Sequence, residues 1–138
     1  MKVLLDTNVI LDYALEREPW FVDSEQILYL SEQKQIITYV SASTISDLYY
    51  ILRKIKSKEL ALEFIRNLIE ICCIATVDRS VIAMALNTNF KDFEDAIQYS
   101  VAVINQLDAI ITRNTKDFAI TQPKILTPNQ FVEQLENK

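Results

Sequence analysis

Two short apolar runs, each closed abruptly by polar residues, constrain this chain most: "KVLLDT" at residues 2–7 and "AIITRN" at residues 109–114. A continuous apolar run of this length belongs to a strand covered on both faces, the pattern of a parallel sheet. "QIITYV", "CCIAT" and "KILT" repeat it more weakly, and the segments between carry helical periodicity. In "STISDLYYIL", Ile45, Leu48, Tyr49 and Leu52 fall at i, i+3, i+4 and i+7, with Ser43 or Ser41 available as N-cap. Ser57 precedes a stripe from Leu60 to Ile69, Thr127 and Pro128 open a last helix, and Pro19 lies near the start of another. Strands alternating with helices predict one three-layer α/β/α domain over residues 1–138, with a mostly parallel sheet of four or five strands.

The binding crevice of such a sheet lies beyond the carboxyl ends of its strands, where the first run places Asp6. A carboxylate at the end of a buried strand is a cap, a pairing group or a metal ligand. Three further aspartates fall at comparable junctions: Asp47 early in the helix after "QIITYVSAS", Asp95 in the first turn of "FEDAIQYSVAVI", and Asp117 after "AIITRNTK". Each has an ordinary reading too. Asp47 complements a helix dipole, Asp92 and Asp95 suit a capping pair, and Asp117 suits a turn.

Composition narrows the chemistry. The chain has no histidine and no glycine, and its cysteines, Cys72 and Cys73, are neighbours. Histidine bases, sulfur–nitrogen zinc sites and glycine-rich phosphate loops are thereby excluded. The two cysteines read as buried small hydrophobes, since adjacent side chains point different ways. What remains is carboxylate, hydroxyl, amide, lysine and arginine. An oxygen-rich set suits Mg²⁺ or Mn²⁺, which polarise a phosphoryl oxygen and lower the pKa of bound water. Metal-assisted phosphodiester hydrolysis fits these side chains. A net charge of −5, from 14 basic and 19 acidic residues, repels nucleic acid in general, but bound divalent ions reverse the local sign. With no long uncharged apolar stretch and no signal-peptide pattern, a cytoplasmic protein without a membrane partner is expected.

"VLLDTNVILDY", "VSASTISDLYYILRK", "DFEDAIQYSVA" and "AIITRNTKDF", in this order and spacing, resemble the PIN-domain ribonucleases, most closely the small single-domain toxins of the VapC type. The resemblance runs from Met1 to about Leu135. It implies a Rossmann-like PIN fold whose acidic cluster holds Mg²⁺ or Mn²⁺ and cuts RNA, a homodimer, and a cognate antitoxin protein. Asp6 matches the family's first acidic position and Asp95 its third, giving them the roles of metal ligand and catalytic carboxylate. Asn8 matches the polar residue of the opening block and Thr112 the hydroxyl after the last core strand. Two positions depart from the pattern. Glutamate is usual at the second, where this chain has Asp47; aspartate is common two residues after the threonine, where this chain has Asn114, leaving Asp117 as substitute. Asp92 and Glu94 are supporting or capping candidates. Thr7 and Asn8 are expected to start a helix while donating hydrogen bonds that fix Asp6.

For RNA phosphates the candidates are Arg53 and Lys54, in a basic run continuing to Lys56 and Lys58, together with Arg113 and Lys116. The run also suits a solvated helix C-terminus. Trp20 and Tyr13 can stack on bases, though a core position is expected of Trp20. A phosphatase of the haloacid-dehalogenase kind needs aspartate where Asn8 stands. The alternative of another class is a noncatalytic PIN fold with a degraded acidic site that binds RNA or a protein.

Overall fold

A computed structural model describes residues 1–137. The elements in order are β1 (Lys2–Leu5), α1 (Thr7–Ala14), α2 (Phe21–Glu32), β2 (Ile37–Ser41), α3 (Ala42–Ile55), α4 (Lys58–Ile71) and β3 (Cys73–Ala75). There follow α5 (Arg79–Leu86), α6 (Phe93–Ile104), β4 (Ala109–Ile111), a short 3₁₀ turn (Thr115–Asp117), β5 (Lys124–Leu126) and α7 (Pro128–Glu136). All five apolar runs are strands of one sheet, ordered β3-β2-β1-β4-β5 with every pairing parallel.

The period-two geometry of β1 divides the core. Val3 and Leu5 join Leu28, Leu48, Leu68 and Phe131 from α2, α3, α4 and α7 on one face. Leu4 joins Val81 of α5 and Val101 of α6 on the other. The result is the expected three-layer α/β/α architecture.

Local chemistry sets the helix ends. Ser41, Ser57 and Thr127 each accept a hydrogen bond from a first-turn backbone N–H, and Thr127 with Gln130 completes a capping box. Of the two serines available for α3, Ser41 is the cap. The helix near Pro19 begins at Phe21 without a side-chain cap. Helix α5, capped by Asp78, has no counterpart among the segments singled out in the sequence.

Three helices end in a left-handed residue that is not glycine: Glu16 (φ 50°), Lys34 (φ 62°) and Gln106 (φ 54°). Each sits at the first position past a C-cap. The two following N–H groups close back in the Schellman pattern, as in Lys34 N to Ser31 O at 3.0 Å and Gln35 N to Leu30 O at 2.9 Å.

Two sequence expectations change. Cys72 is buried, with burial pushing its thiol up to about 11, but Cys73 is exposed. The reason is that β3 is a three-residue edge strand whose first residue has no neighbour on its outer side. Trp20 is 40% exposed rather than in the core. It precedes α2 and lies on the Arg113 guanidinium, 3.9 Å from ring centroid to Cζ. Among the described residues no helix is long and apolar enough to cross a membrane.

Candidate functional site

The sheet order assembles the site. Because Leu5 pairs with Ile111, the residues following β1 and β4, Asp6 and Thr112, come to lie side by side at the carboxyl rim. From that rim α1 departs after β1, at the point where strand order reverses, which is where open α/β sheets bind ligands.

Asp6 is 9% exposed, and both of its oxygens are engaged. Oδ1 accepts from Thr7 N at 2.9 Å and from Gln98 Nε2 at 3.0 Å. Oδ2 accepts from Thr112 Oγ1 at 2.8 Å and more weakly from Asn8 Nδ2 at 3.5 Å. Asn8 and Thr112 thus orient Asp6 as the sequence suggests. Thr7 does so through its backbone as the first residue of α1, whereas its hydroxyl pairs with Thr44 Oγ1 at 2.9 Å. Asn8 Oδ1 also accepts from Arg113 N at 3.3 Å, and Thr112 Oγ1 accepts from Asn114 N at 3.1 Å, which ties the loop after β4 to α1.

The other three aspartates reach the same place from different elements. Asp47 from α3, Asp95 from α6 and Asp117 from the 3₁₀ turn line one cleft of about 450 Å³ with Asp6. Asp92, Glu94 and Asn114 line it too, so both residues considered for the fourth acidic position face it. Asp92 caps α6 by accepting from Glu94 N and Asp95 N at 2.8 and 3.3 Å. The Asp95 side chain does not reciprocate that cap.

Electrostatics mark the cluster. Burial pushes the Asp95 carboxyl up to about 7, reinforced by the charges of Asp6, Asp92, Asp117 and Glu94. Glu94 is raised first by Asp47, then by burial, Asp92 and Asp6. Burial raises Asp47. Like charges crowded into one cleft raise each other's pKa, and a hard divalent cation is the partner whose charge and affinity for oxygen suit this donor set. Among the described residues no three acidic or cysteine side chains are grouped closely enough to hold one ion together. An ion held in this arrangement would need water between it and some of these carboxylates.

The basic candidates separate. Arg113 is committed: it clamps the fully buried Asp12 and carries Trp20 on its face. Arg53 and Lys54 are exposed in the last turn of α3, with Arg53 near the Tyr49 ring. Lys116 lines a groove of about 340 Å³ that shares Asp92, Asp95 and Asp117 with the acidic cleft, and Lys91 lies beside it there. Tyr13 packs against Phe21 and Phe64, with centroids 5.9 and 6.1 Å away, so its ring is occupied.

Sequence reasoning missed Asp12, Thr44, Lys91 and Gln98. Gln98 had a signal: it lies three residues after Asp95, on the same face of α6.

Residues 2–116 match the sequence model of the PIN domain. The chain is 32% identical to Ribonuclease VapC1 of Aquifex aeolicus (strain VF5), in an alignment covering 96% of this chain and 94% of that protein. A toxin–antitoxin complex from Klebsiella pneumoniae has the same fold, with TM-score 0.69 at 24% identity, over 91% of this chain and 97% of that one. So does DNA-bound VapBC from Salmonella typhimurium, with TM-score 0.70 at 17% identity, over 93% and 98%.

Proposed function

This chain belongs to the PIN-domain family, and on that premise we propose that it is a metal-dependent endoribonuclease, a single PIN-like domain over residues 1–138 acting as the toxin of a toxin–antitoxin pair. The observation that carries the reading is the convergence of Asp6, Asp47, Asp95 and Asp117 on one cleft at the carboxyl rim of the sheet.

In this reading the four aspartates would hold Mg²⁺ or Mn²⁺, some of them through its water, and the ion would supply Lewis acidity and a water of lowered pKa. Asp6 is the fixed member, since both its oxygens are engaged by donors on α1, α6 and the β4 rim. Asp95, whose carboxyl is pushed up to about 7 in the metal-free chain by burial and by its acidic neighbours, would be held ionised by the cation. Lys91 and Lys116 bind the RNA backbone where the adjoining groove meets the cleft. A cognate antitoxin and a homodimer are part of the proposal; the antitoxin is supported by neighbours of this fold, a toxin–antitoxin complex and DNA-bound VapBC. A cytoplasmic location accords with an RNA substrate.

Cleavage of labelled structured and single-stranded RNAs tests this, with Mn²⁺, with Mg²⁺ and with EDTA, beside Asp6→Asn and Asp95→Asn. The expected result is cleavage that needs metal and is lost in both variants while their melting stays cooperative. No cleavage of any RNA together with no metal binding by calorimetry would overturn it in favour of a noncatalytic interaction domain.

A further inference from the structure

Gln98 is 4% exposed, points from α6 into the acidic cleft, and is split between two roles by its own chemistry. Its Nε2 donates to Asp6 Oδ1 at 3.0 Å and to Thr44 Oγ1 at 3.3 Å. This fixes which amide atom faces Asp6, because the carbonyl oxygen there would oppose the Asp6 carboxylate. The consequence falls on Oε1, which is buried and has no hydrogen-bond partner among the described residues. An unpartnered buried acceptor is destabilising, a cost the fold bears here while it keeps Nε2 on Asp6.

Resting on the nuclease reading, we infer that Gln98 is a positioning residue of the acidic centre: by donating from Nε2 to Asp6 Oδ1 it holds that carboxylate in the orientation in which it would receive the cation. Two features of the cleft favour this role. Gln98 and Asp6 are both buried and stand 92 residues apart in the chain, so only the packing of α6 on the sheet rim brings them together. The Thr44 hydroxyl that receives the second Nε2 hydrogen bond is itself engaged with Thr7 and Ser41, which holds the amide in place. The bond to Asp6 is an outer contact of the kind that tunes metal affinity.

The test measures Mn²⁺ binding by calorimetry and the Mn²⁺-induced rise in Tm, for the unsubstituted chain, Gln98→Met and Gln98→Glu, with Asp6→Asn as the control for ligand loss. Gln98→Met keeps length and removes both hydrogen bonds; its Kd for Mn²⁺ should rise about 10- to 100-fold. Gln98→Glu keeps an acceptor but sets a charge against Asp6, so the metal-free chain should melt lower and its Mn²⁺-induced rise in Tm should exceed that of the unsubstituted chain. A residue that only filled space would lower Tm in both variants and leave the metal increment unchanged. An unchanged Kd in Gln98→Met, or, if that variant does not fold, an unchanged increment in Gln98→Glu, overturns the inference while the nuclease reading stands. Absence of Mn²⁺ binding by the unsubstituted chain overturns both.

Discussion

Arg113 grips Asp12 through two parallel hydrogen bonds, Nε to Oδ2 at 2.7 Å and Nη2 to Oδ1 at 3.1 Å. Asp12 is fully buried, and among the described residues the only other cation paired with it is Arg17 at 3.7 Å. Because the backbone N–H of Arg113 also donates to Asn8, the clamp fixes the loop that carries Thr112 and Asn114. Breaking one side of a buried pair strands the other charge. Arg113→Ala should therefore cost about 3–5 kcal/mol in urea unfolding, and Arg113→Lys, which cannot make the fork, should recover only part. The double replacement Asp12→Leu with Arg113→Met should recover more than either single change. A cost for Arg113→Ala below about 1 kcal/mol, the range of an exposed pair, would refute this account.

Asp95 gives the metal-free protein a pH signature. Its folded pKa of about 7 lies above the ordinary aspartate value of 3.8, so the folded state holds a proton that the unfolded state has released between those values. Its contribution to stability is complete below about 4 and is lost as pH rises through about 7. In EDTA, Tm should fall across that window. Asp95→Asn, which cannot ionise, should flatten the fall, as should saturating Mn²⁺. Identical Tm profiles for Asp95→Asn and the unsubstituted chain in EDTA would rule out this titration.

Lys91 and Lys116 share the groove beside the cleft. If RNA backbone lies there, Lys116→Ala should raise KM with little change in kcat, the mark of binding lost equally from ground and transition states. It should also lower the slope of log affinity against log salt by about 1 per phosphate contact removed. The same change at Lys54, on the far end of α3, should leave both quantities unaltered.

Glu16, Lys34 and Gln106 occupy left-handed backbone without glycine's freedom. Lys34→Gly and Gln106→Gly should each raise stability by about 0.5–1 kcal/mol. Thermal melts of the two single variants and their double should show nearly additive gains, because the sites belong to separate helices.

What the sequence disclosed follows from physics that is local in the chain. Apolar runs, caps and the acidic residue beyond each strand depend on neighbours within a few positions, so the five strands, the caps of α3, α4 and α7 and the four cleft aspartates could be read directly. Trp20 could not. A lone tryptophan signals burial by its size, and only the fold brings Arg113, 93 positions later in the numbering, beneath its ring. Asp12 was hidden for the same reason, since its partner lies 101 residues away. Gln98 looked like one more polar residue on a helix until the sheet order set it against Asp6. Cys73 escaped because nothing in "CCIAT" says that its strand lies at an edge.

The hydrogen bond from Thr112 to Asp6 joins residues 106 positions apart. At a synthesis rate of roughly 5–20 residues per second, Asp6 emerges from the ribosome some 5–20 s before the hydroxyl that orients it. Throughout that interval β1 lacks its β4 neighbour, and the rim loop bearing Thr112, Asn114 and Asp117 does not yet exist. The nascent chain therefore carries its first acidic residue long before it carries an assembled centre, and the order of synthesis delays completion of the site until the protein is nearly made.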